Sequence, residues 1–173
     1  LNFAAPQDTP DFDLRAYLRG SWSVERTLLD RSTGTRGTFT GVVRFTEHDG
    51  GGLAWREEGT VRWTAADGAP FTAPATREYL LRAADTPAVL DVFFQDGRPF
   101  HRMGFAGSAN RAMHWCDPDT YRVTYTVLGP DAFGYRWDVT GPAKDQLLES
   151  VLHRRDPATD AAADSPAAAG GAG

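Results

Sequence analysis

His101, His114 and Glu57 are the side chains of this sequence best suited to moving protons, and Cys116 is its only thiol. An imidazole titrates near neutral pH and low-dielectric walls shift it readily, so either histidine suits a general acid or base. Glu57 stands between Trp55 and Val61 in a strand-like segment. Desolvation raises the pKa of a carboxylate placed there unless a cation pairs with it. Alternation also puts Arg26, beyond Trp22 and Val24, on an inner face. A buried charge without a partner is too costly to persist, so Arg26 and Glu57 pair with one another, contact a ligand or lie at a wet mouth. Each group has a plainer use as well. His101 serves equally as a core histidine holding one hydrogen bond, and His114 beside Cys116 as an ordinary strand side chain. Neither HxH nor HxxxH spacing relates the histidines, and no oxyanion-hole motif accompanies Cys116. No metal, cofactor or cysteine nucleophile is therefore expected.

Strands must position these residues. Apolar and polar residues alternate in successive segments, with turn residues at the roughly 8 to 12 residue spacing of an all-β sandwich or barrel. Trp22, Val24 and Leu28 share one face; Phe39, Gly41, Val43 and Phe45 the next; Leu53, Trp55, Val61 and Trp63 a third. Tyr79 with Leu81, then Leu90, Val92 and Phe94, and finally Phe133, Tyr135, Trp137 and Val139 continue the series. The opposite faces carry Thr, Arg, Glu and Ser, which gives each strand a wet side. The expected fold is all-β, a single antiparallel up-and-down β-barrel of about 8 to 10 strands. Before it, Phe12, Leu14, Tyr17 and Leu18 are spaced as on one face of a short helix over Asp11 to Leu18, ended by Gly20. Residues 1–10 read as a loose arm, 11–155 as the barrel domain, and 156–173, rich in Ala, Gly, Pro and Asp, as a disordered tail.

Three hairpins decide which side chains face inward. Asp96-Gly97 signals a two-residue turn with positive φ at both central positions, pairing Phe94 with Pro99, Val92 with His101 and Leu90 with Met103. Asp91 then meets Arg102 on the outer face, and His101 points into the barrel. An even loop at Asp117 to Thr120 puts Cys116 opposite Tyr121 and His114 opposite Val123, with Tyr125 on the same face. An odd loop would expose His114 and bury Trp115. Around Gly141-Pro142 an even loop pairs Trp137 with Ser150, Tyr135 with Leu152 and Phe133 with Arg154, which turns His153 outward. Asp117 and Asp119 are read as serving their own turn, and Lys144 as pointing to solvent.

Gly20-Ser21-Trp22, where the helix runs into the first strand, resembles the Gly-x-Trp signature of the calycin superfamily, which includes lipocalins, fatty-acid-binding proteins and nitrobindin-like barrels. The resemblance covers residues 12–155. It implies a calycin-like barrel whose Trp22 packs beneath a C-terminal arginine, Arg154 or Arg155, at the closed end. The segments Asp96-Gly-Arg-Pro-Phe-His101, His114-Trp-Cys-Asp-Pro-Asp-Thr-Tyr121 and Gly141-Pro-Ala-Lys144 look closest to an uncharacterised bacterial family of such barrels. Nitrobindin-like relatives hold haem through a histidine on a late strand. His153 alone has that position here, and its register aims it away from the interior.

Composition narrows the partners. The net charge is -5, with 18 basic residues interspersed among 23 acidic ones, which leaves no electrostatic footprint for nucleic acid or anionic lipid. No apolar run approaches the roughly 18 residues of a membrane span, and the N-terminus carries no export pattern. One cysteine excludes a disulfide framework and suits a reducing cytoplasm. The expected partner is a small apolar or aromatic molecule inside the barrel, contacted by Arg26, Trp55, Phe94, Met103, Cys116, Tyr121, Tyr125, Tyr135 and Trp137. The protein itself is expected as a monomer or homodimer.

Two functions fit such a container. The first is a cofactor-free enzyme using His101, His114 and Glu57 in a cyclisation, isomerisation or hydration. The Ala, Arg and Gly bias suits a high-GC bacterium, where such barrels occur in secondary metabolism. The alternative is a non-catalytic carrier, which needs only the cavity and a few fixed polar groups. The enzyme is preferred at this stage, because a plain carrier has little use for two inward histidines and an inward glutamate.

Overall fold

The computed structural model describes residues 11–65 and 67–158, so the arm at 1–10 and all but the first three residues of the tail at 156–173 lie outside the described residues. A short helix, α1 (Leu14–Leu18), precedes ten strands. They are β1 (Gly20–Asp30), β2 (Arg36–His48), β3 (Gly52–Thr64), β4 (Pro70–Ala83) and β5 (Val89–Phe94), then β6 (Pro99–Gly104), β7 (Arg111–Cys116), β8 (Asp119–Gly129), β9 (Ala132–Thr140) and β10 (Asp145–Arg154). Every ladder is antiparallel between sequence neighbours, and β1 also pairs with β10, giving one sheet in the order β6-β5-β4-β3-β2-β1-β10-β9-β8-β7. The result is the expected all-β up-and-down barrel. It is nearly closed, because β6 and β7 lie side by side without a hydrogen-bonded ladder between them.

Asp13 fixes where the helix begins. Its carboxylate accepts the Ala16 N–H at 2.9 Å, so the helix starts at Leu14 and is shorter than the expected span from Asp11. Leu14, Tyr17 and Leu18 are buried and cover one end of the barrel. Behind them Trp22 packs edge-on against Phe133 at 4.9 Å, and Phe105 against Phe133 at 5.5 Å. Arg154, rather than Arg155, lies 4.2 Å over the Trp22 ring. Its guanidinium donates to the Tyr17 carbonyl at 2.7 Å and to the Arg19 carbonyl at 3.2 Å, satisfying acceptors that the helix end leaves open. The Trp22 indole N–H donates to the Leu18 carbonyl at 2.7 Å.

Gly41 and Gly59 face each other across β2 and β3, and a Cβ on Gly59 would come within 2.7 Å of the Phe39 ring. Their bareness gives Phe39 room to lie across the sheet beneath Arg26, whose guanidinium carbon is 5.1 Å from the ring centroid. Charges ladder over the outside: Arg56 joins Glu78 at 2.6 Å, Arg44 joins Glu58 at 2.7 Å, and Arg102 meets Asp91 at 3.1 Å as the register predicted.

The hairpins keep the expected faces and change some partners. Val92 faces His101 and Leu90 faces Met103, but Phe93 rather than Phe94 stands opposite Pro99. Only Gly97 takes positive φ, at 84°. The Phe94 carbonyl accepts from Gly97 N–H, and the Phe94 N–H donates to the Arg98 carbonyl, both at 2.9 Å, a turn followed by a left-handed glycine. Proline has no N–H to continue the ladder, so Phe100 is the extra residue of a bulge. At the other two hairpins His114 faces Tyr121 and Cys116 faces Asp119, while Trp137 faces Leu148 and Tyr135 faces Ser150. Each partner is displaced by two residues from expectation, and a shift of two preserves every face. Trp115 is accordingly exposed, as is His153.

Candidate functional site

The barrel interior divides into a packed part and an open part. Mid-barrel, Arg26 and Glu57 meet in a fork: Nη1 to Oε1 at 2.8 Å and Nη2 to Oε2 at 2.7 Å, both side chains almost wholly buried. Arg26 Nε donates to Ser150 Oγ at 2.7 Å, and Nη2 to the Tyr135 hydroxyl at 2.6 Å. That hydroxyl stands 3.2 Å from Glu57 Oε2. Of the uses open to Arg26 and Glu57, the structure has them paired with one another. Such a pair is a poor source of stability, since desolvation offsets its Coulombic gain, but removal of either partner leaves a bare buried charge.

His101 lies in the wall. Its ring is 4.5 Å from Phe100 and 5.2 Å from Trp137, each edge to face, and its Nε2 is 2.7 Å from the Tyr125 hydroxyl. Nδ1 is buried without a partner among the described residues, as is the indole N–H of Trp55. Burial, reinforced by the nearby His114, pushes the His101 imidazole down to about 3. Burial also holds the Tyr125 phenol well above its ordinary range, so both groups are neutral at pH 7. Met103, Trp55, Tyr125 and Tyr135 are buried in the core with them.

Above this floor two adjoining cavities open. One, of about 330 Å³, has an aromatic wall of Tyr79, Phe94, Phe100 and Trp137, faced by Tyr121 and His114. Cys116 stands at its exposed rim. Three of the rings lie nearly parallel: Phe100 is 5.3 Å from Trp137 at 6° and 5.5 Å from Tyr79 at 24°. The second cavity, of about 430 Å³, lies between Leu28, Gly37 and Trp63, and the two share Arg77, Gln146 and Leu148. Trp63, expected on an inner face, stands at this rim 41% exposed and stacks on Phe71 at 5.3 Å.

Phe94, Cys116, Tyr121 and Trp137 thus line a cavity together with His114, whereas Arg26, Trp55, Met103, Tyr125 and Tyr135 lie beneath it with His101 and Glu57. Phe100 and Arg77 escaped the sequence reading. The bulge turns Phe100 inward, where it meets His114 at 5.0 Å across the seam between β6 and β7. Pro99 was the available signal, and for Arg77 it was its spacing of two residues from Tyr79.

Two turns latch the mouth, which corrects the reading of Asp119 and Lys144. Lys144 Nζ is 2.6 Å from Asp119 Oδ2 and donates to the Tyr121 hydroxyl at 3.2 Å. Asp119 and Tyr121 hold its ammonium above the usual lysine range. The carboxylate fits only because residue 141 is glycine, where a Cβ would fall 2.1 Å from Asp119 Oδ1.

No group of three or more His, Cys, Asp or Glu side chains among the described residues could hold a metal ion. His153 points outward, beside Ser23 on the neighbouring strand, so it does not fit a haem inside the barrel. No helix among the described residues is long and apolar enough to cross a membrane. The barrel can enclose a small apolar or aromatic molecule.

Solved structures share the fold at low identity. The S-type phycobiliprotein lyase CPES from Guillardia theta superposes with a TM-score of 0.59 at 9% identity, over 87% of this chain and 96% of that one. A DUF3598-family protein of unknown function from Nostoc punctiforme gives 0.58 at 8% identity, over 85% of this chain and 51% of that one, so this chain spans about half its length. EF1p2_mFAP2b, solved bound to DFHBI, gives 0.43 at 17% identity, over 83% of this chain and 98% of that one. No curated protein matches the sequence. A family model covers residues 18–154, the whole barrel from the end of the helix to Arg154, and the chain therefore belongs to DUF6314, a family of unknown function.

Proposed function

We propose that the protein is a non-catalytic binding barrel that holds a flat, largely apolar aromatic molecule in the cavity beside Phe100 and Trp137. The observation that carries this is the 330 Å³ aromatic cavity, within the roughly 300 to 1,000 Å³ of small-molecule sites. Its lining includes the rings of Tyr79, Phe94, Phe100 and Trp137, and stacking of either offset or edge-to-face kind rewards an aromatic guest. The Arg154 contact with Trp22, the covering helix and the meander support a calycin-like ancestry for the container.

The acid-base reading has less support. A general base works best with a pKa near the working pH, and His101 sits far below it, behind Phe100, with no access to either cavity lining. Glu57 has both oxygens engaged by Arg26. His114 alone of the three lines the cavity, so an enzyme reading rests on it.

Fluorescence titration with N-phenylnaphthylamine, a neutral aromatic probe, tests the binding reading. One saturable site is expected, weakened roughly tenfold or more by Leu148→Trp, which fills the cavity floor. Absence of saturable binding, or binding indifferent to Leu148→Trp, would overturn it. Consumption of any bound aromatic compound by the wild type but not by His114→Ala would restore the enzyme reading.

A further inference from the structure

The charges on the inner faces do not all cancel, and one left over, the exposed Arg77, stands at the rim of the cavity. Arg26 and Glu57 neutralise each other in their fork, and Asp119 and Lys144 do so at the mouth. Arg77 lies on the inner face of β4 directly opposite Glu57, but the oxygens of that carboxylate are taken by Arg26 and approached by Tyr135. Arg77 forms no ion pair among the described residues; its side chain hydrogen-bonds Tyr79, and its charge favours ionisation of Tyr79 and Tyr135. It lines both cavities, and the aromatic one has no other lysine, arginine, aspartate or glutamate in its lining. The other cavity is also lined by the exposed Arg36, and there Asp30 is turned back into its own loop, accepting from Ser32 Oγ at 2.5 Å and Ser32 N–H at 2.9 Å. The chain as a whole carries -5, so this cation is not the local share of a general positive excess.

From this we propose that the ligand is an aromatic acid, its rings against Phe100 and Trp137 and its anionic group on the Arg77 guanidinium. The proposal rests on the binding reading above and adds the ligand class and its specificity residue. A guanidinium offers two parallel N–H donors to a carboxylate or sulfonate, and such a forked, charge-assisted pair is stronger than a neutral hydrogen bond. Gln146, which lines both cavities beside Arg77, adds an amide donor at the same junction. A neutral aromatic molecule of the same shape gains the stacking and forgoes the charge.

Two probes with one skeleton separate these contributions: anilinonaphthalene sulfonate, an anion, and N-phenylnaphthylamine, which lacks the sulfonate. The wild type is expected to bind the anion more tightly. Arg77→Met should weaken the anion roughly tenfold or more and leave the neutral probe within about twofold, which also shows that the variant is folded. Arg77→Lys should fall between, keeping the charge and losing the fork. Unchanged anion affinity in Arg77→Met, or an equal loss for both probes, would overturn the assignment of Arg77 while leaving the binding reading intact. A wild type that binds neither probe overturns both.

Discussion

At the helix-covered end, Trp22, Phe105 and Phe133 interlock edge to face at 4.9 to 5.5 Å, and Arg154 closes over them. At the other end Tyr79, Phe100 and Trp137 lie face to face and border empty space. Both ends are aromatic, and what differs is the ring geometry. At the covered end the edge-to-face cluster closes on itself at core density, whereas the stacked rings at the other end still border a cavity. The polar groups divide the same way. Below the cavity, Arg26, Glu57, Ser150 and Tyr135 satisfy one another; around it, Arg77 has no ion pair among the described residues and Lys144 reaches between two turns. One end is therefore packed shut, and the other keeps a cavity that can enclose a small molecule.

Substitutions in the two regions should separate in kind. The largest effect belongs to Glu57→Gln, which leaves the Arg26 guanidinium buried and uncompensated; urea denaturation should show a loss of about 3 to 5 kcal/mol. A loss under about 1 kcal/mol would place this pair at a wet mouth and blur the division.

His101 tests the division through pH. Its imidazole is held at about 3 when folded, against an ordinary value of 6.5. The unfolded chain binds a proton below pH 6.5 that the native protein refuses, so the stability that His101 contributes is complete above 6.5 and drains away as pH falls toward 3. At roughly 1.4 kcal/mol per unit, the drain amounts to a few kcal/mol before relaxation of the site reduces it. His101→Gln should flatten the decline of stability between pH 6.5 and 4 relative to wild type. Parallel curves would mean that His101 reaches water.

The smallest effect is expected at the mouth. Lys144 is 42% exposed, so its ion pair is screened by solvent and Lys144→Met should cost far less stability than Glu57→Gln. A cost as large as that of Glu57→Gln would show that the latch, and not the mid-barrel fork, holds the barrel together.

Much of the barrel was legible in the sequence because alternation is a parity signal. Two hairpin loops differ from expectation in length, yet His114, Cys116, Tyr135 and Trp137 keep their faces because the displacement is even. Features that break parity were hidden. Phe100 enters the cavity only through a bulge, and Arg77 sits in a stretch whose inner positions include Ala73 and Ala75, with Pro74 between them, where the apolar rhythm fades. The Asp119 and Lys144 contact joins two turns far apart in sequence, and no local pattern encodes it. Position along the barrel axis was equally silent: alternation puts His101 and His114 on inner faces alike, but only packing decides that one is wall and the other lining.

The central claim is that the open end holds a planar guest, and a crystal structure of the protein with N-phenylnaphthylamine tests it most directly. Density for the probe beside Phe100 and Trp137, below the Tyr121 and Lys144 latch, is the predicted result. Density confined to the exposed Trp63 and Phe71 pair, or side chains collapsed into an empty cavity, would contradict it.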